Sequence, residues 1–160
     1  MSQIFRLNKG GYINRNKIIS FKFNGKKYFG YKGDTLASAL LANGVHLVGR
    51  SFKYHRPRGF LGVGVEEPNA QVQLYHGAKT EPNVVATTVE LVEGLVAKSQ
   101  NCFPFVSFDF GAINNILHKF FPAGFYYKTF MWPKSFWYKI YEPFIRKAAG
   151  FGVVSTKHDN

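Results

Sequence analysis

The side chains of this sequence that carry reactive chemistry are few and scattered. There is one cysteine, Cys102, and there are five histidines, His46, His55, His76, His118 and His158. One thiol makes neither an internal disulfide nor an all-cysteine metal site. The histidines show no His-x-x-x-His or Cys/His spacing, so no metal site within the chain is expected. Cys102 stands between Asn101 and Phe103 with no base at a telling spacing, which reads as a structural thiol rather than a nucleophile. Glu66 and Glu67 are adjacent, so in an extended loop their side chains diverge and make a poor acid–base couple. Gly62-Val63-Gly64 lacks the third glycine and the following helix of a dinucleotide fingerprint. What remains is a basic run, Lys53-Tyr54-His55-Arg56-Pro57-Arg58, with Arg50 just ahead of it. Guanidinium binds phosphate or carboxylate bidentately. Arg50, Lys53, His55, Arg56 and Arg58 are therefore candidate contacts to a cofactor phosphate or an acidic protein face. The plainer reading is a solvated or domain-packing loop.

The charge around that run is uneven. Residues 1–60 carry 12 Lys/Arg and one acid, Asp34, whereas residues 61–160 carry nine Lys/Arg and eight acids. Aromatics are skewed the other way, with 17 of 28 in residues 101–160. A basic front implies an anionic partner. The opening Met1-Ser2-Gln3-Ile4-Phe5-Arg6 lacks the apolar core of a signal peptide. No run approaches the roughly 20 apolar residues of a membrane span. The expected location is cytoplasmic.

The elements that must position these residues are legible in part. Residues 1–17 read as an extended arm. Ile19–Phe23 and Lys26–Tyr31 flank Asn24-Gly25, the pair that supplies the positive φ angles of a two-residue hairpin turn. Leu36–Asn43 reads as a helix capped by Asp34 or Thr35 and ended by Gly44. Val45–Val48 is expected as a short strand, residues 49–70 as a loop, and Gln71–Tyr75 and Asn83–Val89 as strands, the last lying against the first hairpin. This order suits an α+β architecture, a ferredoxin-like β-grasp with a mixed sheet over one helix. Beyond residue 100, helices are expected at Ala112–Phe121 and Lys134–Gly150, with Pro143 kinking or restarting the second. The domains expected are an arm (1–17), a β-grasp (18–100) and an aromatic-rich, partly helical extension (101–160).

Three stretches carry a specific resemblance. They are Gly33–Gly44 followed by Arg50-Ser51-Phe52-Lys53-Tyr54-His55-Arg56-Pro57-Arg58-Gly59, then Glu67-Pro68-Asn69-Ala70, then Pro122-Ala123-Gly124-Phe125-Tyr126-Tyr127-Lys128-Thr129-Phe130-Met131-Trp132-Pro133. Together they resemble the start of the alpha subunit of heterotetrameric sarcosine oxidase, and the resemblance covers nearly all of residues 8–150. It implies a domain similar to two-iron ferredoxins. Relatives with a cluster carry a Phe-Cys-Gly-x-Gly-x-Cys-x-x-Cys loop and a later Pro-Asn-x-x-Ala-Cys strand. Aligned on Arg58-Gly59-Phe60 and Pro82–Ala86, the four ligand positions fall on Leu61, Glu66, Asn69 and Thr87. Leucine cannot bind iron, and asparagine and threonine are poor substitutes for thiolate. A domain without its cluster is expected, with no cofactor bound by this segment alone.

The resemblance implies a flavin-dependent complex that oxidises sarcosine to glycine, yielding hydrogen peroxide and a one-carbon unit passed to tetrahydrofolate. It implies FAD, FMN, NAD and tetrahydrofolate in the full complex. The implied partners are the remainder of the alpha subunit and the beta, gamma and delta subunits. The sequence reaches Asn160 before any dinucleotide fingerprint, which reads as a fragment or a split-gene product. This segment is then a non-catalytic structural module. Phe125, Tyr126, Tyr127, Lys128, Phe130 and Trp132 are expected at an interface, since aromatic residues favour interface cores. A membrane-surface helix would want more Lys/Arg than Lys134, Lys139, Arg146 and Lys147. Two other functions are weighed. A nucleic-acid-binding module would use the basic front, and a ferredoxin-type electron carrier would need the missing thiolates.

Overall fold

Asn24 and Gly25 both take positive φ, 51° and 81°, and close the hairpin that starts the sheet. The structure is a computed structural model that describes residues 3–77, 79–120, 124, 132–149, 152, 154, 155 and 157. Strands β1 (Asn14–Phe23) and β2 (Lys26–Lys32) pair antiparallel, with Phe21 opposite Tyr28. Along β1, Ile19, Phe21 and Phe23 are buried while Ile18 and Lys22 face out, the period of two that a half-buried strand requires. The strand reaches back to Asn14, so the end of the expected arm belongs to the sheet, with a register irregularity between Asn14 and Ile18. The rest of the arm is docked: Gln3 Nε2 donates to the Phe29 carbonyl at 2.6 Å, and the Phe5 ring lies edge-on to His46.

Helix α1 (Leu36–Ala42) starts at Thr35, whose hydroxyl accepts from the Ser38 N–H. The Ser38 hydroxyl accepts in return from the Thr35 N–H, a reciprocal capping box. Thr35, not Asp34, is the cap. The chain leaves the helix through Gly44 at φ 78°, the left-handed exit that glycine tolerates best. The helix lays Leu36, Ala37, Ala39 and Leu40 onto Phe21, Phe23, Val72, Leu74 and Ala97, with Ala86, Leu91 and Leu95 closing the core.

Past the helix come β3 (Gly49–Arg50), β4 (Pro57–Arg58), β5 (Gln71–His76), β6 (Lys79–Val85) and β7 (Val96–Ser99). The main sheet runs β2-β1-β7-β5-β6, with β1 and β7 parallel and the other pairs antiparallel; β3 and β4 form a small second sheet. This mixed sheet over one helix is the β-grasp expected. Three details differ. Val45–Val48 is not a strand; pairing begins at Gly49, where the chain meets Arg58. The strand expected at Asn83–Val89 lies at Lys79–Val85 and turns at residues 86–88. It pairs with β5 at the edge, while β7 takes the place beside the first hairpin. Pro82, which has no N–H to donate, fits an edge strand.

The extension is broken where continuous helices were expected. A 3-10 turn at Phe110–Ala112, one α-turn at Ile113–Ile116 and a 3-10 turn at His118–Phe120 replace the first. The second comprises a 3-10 turn (Lys134–Phe136), a π-turn (Trp137–Tyr141) and an α-helix (Glu142–Ala149). Pro143 is the second residue of that last helix, where the π-turn passes into α-helix, which is the restart expected of a proline without an N–H to donate.

Candidate functional site

The four positions aligned with cluster ligands lie on and beside the loop 61–70. Leu61 is 77% exposed. The Glu66 carboxylate accepts from the N–H groups of Val63 (3.1 Å) and Gly64 (2.9 Å). The Asn69 side-chain oxygen Oδ1 accepts from Arg58 Nη1. The buried Thr87 hydroxyl donates to the Gly64 carbonyl at 2.7 Å. Three of the four are committed to hydrogen bonds within the loop and its neighbours, and the fourth is a hydrocarbon. No group of three or more His, Cys, Asp or Glu able to hold a metal is found among the described residues. These side chains do not fit an iron–sulfur cluster, which needs thiolates.

The residue that organises the loop is Glu67, which the sequence offered as half of an unpromising acidic pair and as the head of the stretch Glu67-Pro68-Asn69-Ala70. It is 2% exposed. One oxygen accepts from the N–H groups of Leu61 (2.6 Å) and Gly62, the other from those of Asn69 (2.7 Å) and Ala70 (3.1 Å). Burial works to raise its pKa, and the four backbone donors outweigh it, so the carboxyl is held below its ordinary range. The signal available in the sequence was an acid enclosed by Gly62, Gly64 and Pro68, where donors are free and a side chain can turn inward.

The basic run closes onto the start of the aromatic extension. Arg50 donates from Nε to the Val106 carbonyl and from Nη1 to the His55 carbonyl, both at 2.8 Å. His55 Nδ1 lies 2.7 Å from Asp109 Oδ2, and the Asp109 side chain is fully buried. Arg50 Nε stands 3.6 Å from the same oxygen. The other Asp109 oxygen accepts from the N–H groups of Phe103 and Gly111. His55 adopts φ 51°, a left-handed conformation unusual for a residue with a Cβ, held by this clamp. Arg56 donates to Asn115 Oδ1 at 2.8 Å and lies over the Tyr54 ring, which Lys53 also faces. The run thus packs one domain segment onto another. Of its cations Arg56 and Arg58 remain exposed.

Cys102 is half-buried beside this clamp. Burial and the Asp109 carboxylate push its thiol up, against a smaller opposing effect of Arg50. It is a thiol, not a poised nucleophile. It lines a groove of about 600 Å³ between the first hairpin and the extension, with Tyr28, Leu47, Lys98 and Phe105. Along its described length the extension exposes Phe103, Phe105, Phe108, Phe110, Ile116 and Phe120. Trp132 is exposed too, its carbonyl accepting from the Tyr141 hydroxyl. Phe125, Tyr126, Tyr127, Lys128 and Phe130 lie outside the described residues. No described helix is long and apolar enough to cross a membrane.

Comparison with known proteins places this geometry. The family model described as a 2Fe-2S iron-sulfur cluster binding domain matches residues 16–102. The sarcosine oxidase subunit alpha of Rhizobium meliloti (strain 1021) is 58% identical over 155 residues, which is 97% of this chain and 16% of that subunit. The corresponding subunit of Corynebacterium sp. (strain U-96) is 40% identical over 93 residues, 55% of this chain and 9% of that one. Among solved structures, L-proline dehydrogenase from P. horikoshii matches with a TM-score of 0.42 at 25% identity, over 57% of this chain and 17% of that one. The chain spans less than a fifth of the length of each relative it matches.

Proposed function

We propose, from the premise that the chain belongs to the 2Fe-2S iron–sulfur cluster binding domain family and is a homologue of sarcosine oxidase alpha subunits, that it serves as a non-catalytic bracing module of such a subunit. The complex in question is flavin-dependent. It oxidises sarcosine to glycine, with hydrogen peroxide and a one-carbon unit passed to tetrahydrofolate. FAD, FMN and NAD are held elsewhere in it. The observation that carries this reading is a cluster loop with no thiolate at its ligand positions, in a chain whose extension exposes its aromatics. A ferredoxin-type electron carrier needs the thiolates that Leu61, Glu66, Asn69 and Thr87 replace. A nucleic-acid module would use its arginines on phosphates, whereas Arg50 and His55 are turned inward.

In this reading the extension, with the stretch Phe125–Trp132, packs against the remainder of the alpha subunit or against the beta, gamma or delta subunit. Desolvating aromatic anchors supplies most of such binding energy. Of the basic run, Arg56 and Arg58 are the members presented to an anionic face, with Lys53 beside them. The test is co-expression of the chain with the rest of such a complex, followed by an absorption spectrum of what co-purifies. Co-purification with flavin absorbance is expected, and Phe105→Ser with Phe108→Ser and Ile116→Ser should abolish it while leaving the circular dichroism of the chain unchanged. A colourless monomer that ignores those subunits would sink the proposal.

A further inference from the structure

A carboxylate removed from water needs compensation, since burying an unpaired ion costs several kcal/mol. Among the described residues Glu67 has no ion-pair partner, and its compensation is entirely backbone: two N–H groups from the entry of the loop (Leu61, Gly62) and two from its exit (Asn69, Ala70). Converging N–H groups of this kind form an anion-binding nest, the device that also surrounds many iron–sulfur sites. The rest of the loop is built around the same point. A Cβ on Gly62 would come within 3.3 Å of the Glu67 Cα, and one on Gly64 within 2.7 Å of Glu66 Oε2. Glu66 holds the N–H groups of Val63 and Gly64 on the outer side. Thr87 ties the Gly64 carbonyl to the turn after β6, and the Ala86 N–H donates to the Ala70 carbonyl at 2.9 Å. The loop is therefore closed, end to end, on its own side chains.

We propose that Glu67 is the built-in anion of this loop: its carboxylate fills the donor nest of Leu61, Gly62, Asn69 and Ala70, so that residues 61–70 take their fold without a metal cluster, and the nest accepts a small free carboxylate when the side chain is removed. The inference stands apart from the bracing role, because it concerns the loop of the chain alone.

The experiment is amide hydrogen exchange on the full chain, wild type, Glu67→Ala and Glu67→Gln, with Glu81→Ala as an exposed control. The wild type refolded with a chelator and no iron should protect the four amides; protection that requires iron overturns the proposal. In Glu67→Ala the same amides should exchange about tenfold faster or more, the scale of one lost charge-assisted hydrogen bond. Sodium formate should restore their protection saturably, and sodium chloride at equal ionic strength should not. Unchanged protection in Glu67→Ala, or no response to formate beyond that to chloride, overturns it. If Glu67→Ala does not fold, Glu67→Gln decides, since it keeps the volume and one carbonyl oxygen: faster exchange at either arm of the loop supports the proposal and unchanged exchange refutes it.

Discussion

Asp34 is the one acid among the 12 cations of residues 1–60, and Arg6 grips it with two hydrogen bonds of 2.7 Å. The Tyr31 N–H and the Ser38 hydroxyl add two more. Burial pulls its pKa up, but these donors together hold it below the ordinary carboxylate value. A depressed folded pKa contributes stability above the unfolded value, about 3.9, that is lost as pH falls through the folded one. The melting temperature of Asp34→Asn should therefore lie below wild type by a constant margin at neutral pH, and the gap should close in acid. A gap that widened on acidification would contradict the assignment. Asp109 plays the matching part for the extension. Asp109→Ala strips His55 and Arg50 of their shared carboxylate, and denaturant unfolding should register a loss of about 3–5 kcal/mol, the cost of breaking a buried pair. Cys102, its thiol pushed up, should react with iodoacetamide more slowly at neutral pH than a free cysteine does.

At the scale of elements, the packing of α1 on the sheet depends on one close approach. A Cβ on Gly30 of β2 would collide with Leu91 and come within 3.0 Å of Ala39 and 3.1 Å of Asp34 Oδ2. Gly30→Ala should destabilise by about 1–3 kcal/mol, as overpacked cores do; a neutral result in a melting experiment would show that β2 yields. The helix start is cheaper to disturb: Thr35→Ala removes the capping hydroxyl and should cost about 1 kcal/mol. The sheet edges carry their own protection, with Lys26, Lys27 and Lys32 on β2 and Pro82 on β6, which discourages edge-to-edge pairing.

At the scale of the molecule, a closed β-grasp core adjoins an extension whose described aromatics are mostly exposed. The clamp of Arg50, His55 and Asp109 fixes the start of that extension to the core. Beyond it, short 3-10, α and π turns replace the long helices that apolar spacing suggested, as expected of a segment whose described apolar side chains are mostly exposed. Light scattering of the isolated chain should show concentration-dependent association that co-expressed partner subunits suppress; a monomer at high concentration would argue that the aromatic surface has no partner to meet.

Local chemistry is what the sequence determined by itself. Asn24-Gly25 permits one kind of turn, Thr35 and Ser38 cap one helix, and the absence of thiols at Leu61, Glu66, Asn69 and Thr87 excludes thiolate ligation there. These are properties of neighbouring residues, and the β-grasp followed from their order. Strand β7 was not legible, because four residues between β1 and β5 are placed by pairing partners far away in the chain. The roles of Asp34, Glu67 and Asp109 were not legible either. Their partners, Arg6, the backbone donors of a closed loop and His55, come within reach only when the fold brings them there, and burial is what turns a polar contact into one that matters.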